Sequence, residues 1–117
     1  MRLILYGTNT DNRGFEEKIL AVPELCYRNI CIETYSDHDS FIAGLGGSPP
    51  DVVVVTMDSA DGMEGVIAAK AVCPDAPILW FSDDGGFGVQ SYRLGCAYFH
   101  EKPVSPEIVS TAIAKCM

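Results

Sequence analysis

The chain has 117 residues, of which 48% are hydrophobic and 21% are charged, and eight Lys and Arg against 16 Asp and Glu give a net charge of −8. This length and composition predict one globular domain over residues 1–117 and exclude a disordered chain. An acidic surface repels phosphate backbones, so we expect this domain alone to bind no nucleic acid. No apolar run approaches the ~20 residues that cross a bilayer, and the N-terminal apolar run is too short for a signal peptide, so we expect a cytoplasmic protein without membrane contact.

Cysteines and histidines form no recognisable site in the sequence. The five cysteines are scattered without a Cys-x-x-Cys pair, which argues against a disulfide framework and against structural zinc. We expect them to be reduced and to pack as small hydrophobic residues. His38 and His100 lack the spacing of metal ligands, so we assign neither a catalytic role.

Strand-like and helix-like segments alternate five times along the chain. Strands are predicted at 2–6, 30–35, 51–56, 77–81 and 97–101, and helices at 14–22, 36–45, 64–72, 87–94 and from 105 onward. Four consecutive valines at 52–55 indicate a strand buried on both faces, as in the centre of a parallel sheet. The alternation predicts an α/β domain with a doubly wound parallel sheet, whose functional loops lie at the carboxyl ends of the strands.

Several motifs at those strand ends have the order and spacing of a known family. Ser82 follows the fourth strand, Lys102-Pro103 closes the fifth, and Ser105-Pro106-Glu107 opens the last helix. An aromatic residue, Phe99, stands three positions before the lysine. Together these residues resemble the receiver domains of two-component response regulators over essentially the whole chain.

The resemblance implies a flavodoxin-like fold in which a five-stranded parallel sheet, in the order 2-1-3-4-5, is flanked by five helices. It implies a role in bacterial signal transduction or a phosphorelay, and a cis bond between Lys102 and Pro103. Segments 32–45 and 82–94 are similar to receivers attached to DNA-binding output domains, which extends the implied role to transcription regulation.

The resemblance fails at the residues that carry a receiver's chemistry. A receiver accepts a phosphoryl group on an aspartate at the end of the third strand and holds Mg²⁺ with two acids after the first strand. Here the acceptor position is Thr56, and the acidic pair falls at Gly7 and Thr8. A threonine hydroxyl without an adjacent base is a poor nucleophile. We therefore expect a pseudo-receiver that is no enzyme and signals without phosphorylation, although it retains the switch residues Ser82, Phe99, Lys102 and Pro103.

Two alternatives keep some of the lost chemistry. Asp58 lies two residues beyond Thr56, and a two-residue shift preserves side-chain direction along a strand, so Asp58 is a candidate displaced acceptor. The loop aspartates could also converge on Mg²⁺ or Ca²⁺, or could instead cap turns and helices. The carboxyl ends of the strands form one edge of the predicted sheet, here called the rim. The aspartates predicted on this rim are Asp11, Asp58, Asp61, Asp83 and Asp84.

The retained Lys102 also has two interpretations. It could pair with Asp58 or Asp83 and imitate a fixed signalling state, or the Lys-Pro pair could serve mainly to set the turn.

A different class of function is suggested by the first loop. The segment 6–12 is similar to the phosphate loop of flavodoxins, in which hydroxyls and backbone amides hold the FMN phosphate. Thr8 and Thr10 would supply two hydroxyls, but the charge of Asp11 would oppose a phosphate.

Partners are expected on the face formed by the fourth helix, fifth strand and fifth helix, which receivers commonly use for association. Aromatic side chains and arginine favour an interface there with a protein partner or with a second copy of the chain. The interface candidates are Tyr92, Arg93, Tyr98 and His100, beside Phe87, Val89 and Lys115.

Overall fold

The five predicted strands form one parallel sheet in the order β2-β1-β3-β4-β5, seen in a computed structural model that describes residues 1–26 and 28–117. The predicted fold class and strand order are therefore confirmed. The strands are β1 Arg2–Tyr6, β2 Cys31–Tyr35, β3 Val52–Val55, β4 Ile78–Ser82 and β5 Tyr98–Glu101.

In the described part of the chain, five helices connect and flank the strands, with short 3₁₀ turns at Pro23–Leu25 and Gly85–Phe87. Among residues 1–26 and 28–117, no helix is long and apolar enough to cross a membrane. The helices are α1 Asn9–Leu20, α2 His38–Leu45, α3 Ser59–Val72, α4 Gly88–Arg93 and α5 Pro106–Ala114.

The hydrophobic core lies on both faces of the sheet because the central strand is buried on both sides. All four valines of β3 are at most 1% exposed, as their unbroken run predicts. Val52 and Val54 face α1 and α5, whereas Val53 and Val55 face α2 and α3. This two-sided burial fixes the carboxyl end of β3, and therefore the position of Thr56, in the middle of the rim.

Two helices begin earlier than the sequence predicts. α1 begins at Asn9 rather than at residue 14, because the Thr8 hydroxyl accepts a hydrogen bond from the Asp11 amide at 3.1 Å and caps the helix. α3 begins at Ser59 rather than at residue 64. The Ser59 amide donates to a carboxylate oxygen of Asp83 at 3.0 Å, so the cap comes from a residue that is distant in sequence.

The cysteines follow the prediction only in part. Cys26 and Cys31 are exposed, because they lie at the end of a surface turn and on the edge strand, and so they do not pack as core residues. Burial raises the pKa of the thiols of Cys96 and Cys116 to about 11, which keeps them protonated and unreactive at neutral pH.

Two helical glycines form a matched pair for testing the packing of α3 beneath the rim. A methyl group at Gly62 would overlap the Met57 carbonyl and lie 3.2 Å from Trp80 Nε1, whereas one at Gly14 would meet nothing within 4 Å. We expect Gly62→Ala to lower the free energy of unfolding by about 1–3 kcal/mol through overpacking. Gly14→Ala should raise it by about 0.5–1 kcal/mol, since alanine is the better helix former. Urea unfolding measures both, and equal effects of the two substitutions would contradict the packing of Gly62 against Met57.

Candidate functional site

The candidate site lies at the carboxyl ends of β1, β3, β4 and β5, where the residues that resemble a receiver's switch come together. Its centre is the ammonium group of Lys102, which follows β5 directly. Lys102 Nζ donates to Asp58 Oδ1 at 2.7 Å, to Asp11 Oδ2 at 2.8 Å and to the Thr56 carbonyl oxygen at 2.6 Å. Three donors thus meet three oxygens, and one side chain ties α1, the β3–α3 loop and the end of β5 together.

This ion-pair network corrects and extends the predicted one. Of the two partners proposed for Lys102, Asp58 forms the ion pair, whereas Asp83 does not, since Asp83 Oδ1 accepts hydrogen bonds from the Ser59 amide and the Ser82 hydroxyl. The second partner is Asp11, which the first turn of α1 brings to the rim. The lysine side chain is only 18% exposed, so both ion pairs are partly shielded from solvent.

Burial and charge act in opposite directions on Lys102. Desolvation lowers the pKa of its ammonium, but the hydrogen bonds and charges of Asp11 and Asp58 outweigh that effect, and the net pKa is raised above its ordinary value. The lysine is therefore a permanent cation at neutral pH. A raised pKa also means that the folded state holds this proton more tightly than the unfolded state does.

Thr56, at the position that the resemblance assigns to a phospho-acceptor, has no access to solvent. Thr56 is completely buried, and its hydroxyl is directed at the Tyr6 carbonyl oxygen at 3.4 Å. Gly7 lies directly against it, because a Cβ atom built at Gly7 would overlap Thr56 Oγ1 and would lie 2.9 Å from Asn12 Oδ1. The volume that an acidic side chain at position 7 would need is therefore filled by threonine.

The β1–α1 connection consists of only Gly7 and Thr8. Asn12 fastens it from within α1: its side-chain amide donates to the carbonyl oxygens of Gly7 and Tyr35, both at 3.0 Å. Residues 7–13 fall between the predicted first strand and first helix and were therefore expected to form a loop; that expectation is wrong, since most of the segment is helical. Thr8 caps α1, and Thr10 lies in the first turn of that helix.

The residues present do not fit a receiver's magnesium site. Gly7 and Thr8 carry no carboxylate, and the Lys102 ammonium lies between the carboxylates of Asp11 and Asp58. In the part of the chain that the structure describes, no three His, Cys, Asp or Glu side chains are grouped to hold a metal ion. Two of the remaining rim aspartates make hydrogen bonds with backbone amides: Asp83 with Ser59, and Asp84 with Gly86 at 2.8 Å.

The side chains of Ser82 and Phe99 contact the β4–α4 loop and Trp80. Ser82 is fully buried, and its hydroxyl accepts a hydrogen bond from the Asp84 amide at 3.2 Å, so it orders the β4–α4 loop. The ring of Phe99 meets that of Trp80 edge to face, with 5.3 Å between the ring centroids. The bond between Lys102 and Pro103 is cis, as the resemblance implies.

The predicted interface residues surround β5, against which α4 and α5 both pack. Tyr92 is 87% exposed and Val89 on the same helix is 58% exposed, while Arg93 is also exposed. Tyr98 and His100 are half-buried and stack at an interplanar angle of 12°. The four candidates thus lie on two adjoining elements at the edge of the sheet, α4 and β5.

Sequence reasoning missed the contribution of Ser59 and Asn12. Asn12 sits in a segment that reads as a loop, and its role depends on the close approach of Gly7. Ser59 has a φ of +55°, a conformation that local sequence does not signal for serine.

Overlap between positions 7 and 56 can be tested with a double-mutant cycle. We expect Gly7→Ala to lower the free energy of unfolding by about 1–3 kcal/mol because the new methyl group overlaps Thr56 Oγ1. In a Thr56→Ala background the same change should cost less, with a coupling of about 0.5–3 kcal/mol between the two sites. Chemical denaturation of the four proteins gives the coupling, and additive effects would show that Thr56 does not occupy this volume.

The Lys102 network predicts a stability change at high pH. A raised lysine pKa contributes stability that is fully present below the ordinary value of 10.5 and is lost as pH rises through the higher folded value. We expect the wild type to be more stable than Lys102→Met by a constant margin from about pH 6 to 9 and the margin to shrink above about pH 10.5. Denaturant titrations of both proteins test this, and a margin that persists at about pH 12 would contradict it.

Known proteins resemble this chain in structure but not in sequence. No family model matches it, and no curated protein matches it either. A putative CpaE2 pilus assembly protein of Sinorhizobium meliloti aligns with a TM-score of 0.76 at 16% identity over 100% of both chains. The pilus assembly protein CpaE of Caulobacter crescentus gives 0.76 at 14% identity, covering 99% of this chain and 98% of that one. A response regulator of Thermotoga maritima gives 0.72 at 15% identity, covering 99% and 97%. The chain therefore has the receiver fold of response regulators.

Proposed function

We propose that this domain is a pseudo-receiver: a signalling module, without enzymatic activity, that acts by protein–protein contact and does not depend on aspartyl phosphorylation. The observation that carries the proposal is the packing of Gly7 against a fully buried Thr56. That packing removes the acceptor and one position of the acidic pair together.

The first argument concerns the nucleophile. Phosphoryl transfer requires an in-line approach of the donor to the attacking oxygen. Thr56 Oγ1 has no accessible surface for that approach, and its hydrogen bond is to a backbone carbonyl, which cannot act as a base.

The second argument concerns charge. A phosphoryl donor needs cations that neutralise its oxygens. The one cation at the centre of the rim, Lys102, already binds two carboxylates and a carbonyl oxygen. The first turn of α3 holds a further acid, Asp61, and the whole chain has a net charge of −8. This arrangement disfavours the approach of an anionic donor.

The contact surface of the proposal is the α4–β5–α5 face. A tyrosine that is 87% exposed, next to an exposed valine and an exposed arginine, supplies the residue types that dominate binding energy at protein interfaces. Two of the similar structures are named pilus assembly proteins and not response regulators, which supports a role for this fold outside phosphotransfer.

A second candidate function is phosphorylation of Asp58, and one observation favours it. The Asp58 side chain is 47% exposed and lies 2.7 Å from Lys102, so a carboxylate and a lysine do stand side by side at the rim. Against this candidate, a divalent cation shared by Asp11 and Asp58 would have to displace the Lys102 ammonium from between them.

Incubation with acetyl phosphate and Mg²⁺ separates the two candidates. We expect the intact mass of the wild type to stay unchanged, while a receiver with an acceptor aspartate, treated in parallel, gains one phosphoryl group. A gain by the wild type that is lost in Asp58→Asn would assign the acceptor to Asp58 and overturn phosphorylation independence.

In-cell photo-crosslinking tests whether the α4–β5–α5 face is a contact surface. A photoreactive phenylalanine at position 92 should give a discrete adduct with a partner or a second copy, identified by mass spectrometry. The matched control is position 42 on α2, since Ile42 is also an exposed apolar residue but lies beyond α3 from this face. Equal labelling at both positions, or none at 92, would contradict the assigned surface.

A further inference from the structure

The first turn of α3 is capped from outside the helix. Asp58 stands at the N-cap position with extended backbone, and aspartate is among the best N-cap residues. Its side chain makes no hydrogen bond to the helix and binds Lys102 instead. The Ser59 amide is satisfied by Asp83, from the β4–α4 loop, at 3.0 Å. Because Asp58 binds Lys102, it does not cap α3, and Asp83 from the β4–α4 loop accepts the hydrogen bond of the Ser59 amide instead.

The backbone of Ser59 is strained in this arrangement. Ser59 has a φ of +55°, the only positive φ outside glycine among residues 1–26 and 28–117. A side chain with a Cβ atom is disfavoured in the left-handed region. Ser59 is held there from both sides, since Asp58 before it is fixed by Lys102 and its own amide is fixed by Asp83.

A second arrangement of the same residues relieves that strain. If Ser59 adopts a right-handed φ, Asp58 becomes an ordinary N-cap whose carboxylate accepts a hydrogen bond from the amide of Asp61, at the third helical position. That arrangement breaks the ion pair of Asp58 with Lys102. It also turns the Ser59 amide away from Asp83.

The β4–α4 loop connects this change at Ser59 to the proposed contact surface on α4. Asp83 Oδ1 accepts from Ser59 and, at 3.3 Å, from the Ser82 hydroxyl, which in turn accepts from the Asp84 amide. Asp84 then caps the 3₁₀ turn that runs directly into α4, where Tyr92 is exposed. Loss of the Ser59 contact leaves this segment with fewer hydrogen bonds to the rest of the domain.

We propose that the β3–α3 junction is a two-state device, here called the capping exchange. In one state Asp58 binds Lys102, Asp83 caps α3 and α4 is ordered; in the other Asp58 caps α3 and α4 is released. A partner that binds either state better shifts the balance between them. The proposal rests on the proposed function only in assigning a partner to the α4 surface, because the exchange itself is a property of the free domain.

Hydrogen–deuterium exchange of the free domain tests the proposal with a matched pair of variants. Lys102→Met and Asp58→Ala both break the same ion pair, but only Lys102→Met leaves Asp58 able to cap α3. We expect Lys102→Met to speed amide exchange in residues 84–93 on the order of tenfold, whereas Asp58→Ala stays close to the wild type. In ¹⁵N spectra of Lys102→Met, the Asp61 amide should become protected and shift downfield.

Ser59→Gly keeps the proposal falsifiable if Lys102→Met fails to fold. Glycine accepts a positive φ without cost, so this variant should favour the arrangement seen here and slow exchange in residues 84–93 severalfold, while Ser59→Ala should not. The capping exchange is overturned if Asp58→Ala loosens residues 84–93 as much as Lys102→Met, or if Ser59→Gly and Ser59→Ala behave alike. Because no partner is present, these outcomes do not depend on the crosslinking at position 92.

Discussion

The Lys102 ammonium is the interaction on which the rim of this domain depends. It binds carboxylates from α1 and from the β3–α3 loop and the carbonyl oxygen of Thr56, and in doing so it fastens the ends of β3 and β5 to the first turn of α1. One cation balances two anions that would otherwise repel each other at close range. The strand ends are thereby fixed by a side chain of the protein itself.

Near Lys102, the residues Gly7, Thr56 and Asn12 depend on one another for their packing. Gly7 has no side chain, Thr56 fills the volume beside it, and Asn12 fastens the short connection between them and α1. An acid at position 7 would meet Thr56, so restoring one missing carboxylate alone would disturb the packing. Such mutual dependence supports the proposal that this rim functions without an acceptor aspartate.

The sequence predicted what local patterns determine. The unbroken valines of β3 and the Ser105 cap of α5 were readable because each depends on neighbouring residues, whereas the cis Lys102–Pro103 bond was expected from the resemblance to receivers. The early start of α3 was not readable, since its cap is Asp83, a residue that follows the next strand. The Asp11 partner of Lys102 was likewise hidden, because two residues 91 positions apart meet only when β1 and β5 end at one rim.

Phosphorylation independence is tested by adding beryllofluoride and Mg²⁺, which together imitate a phosphorylated aspartate, to the ¹⁵N-labelled domain. We expect the amide signals of Asp58, Ser59, Lys102 and Tyr92 to keep their positions at saturating reagent. Saturable shifts of these signals in the wild type, absent from Asp58→Asn, would show that the site still binds a phosphoryl group and would contradict signalling without phosphorylation.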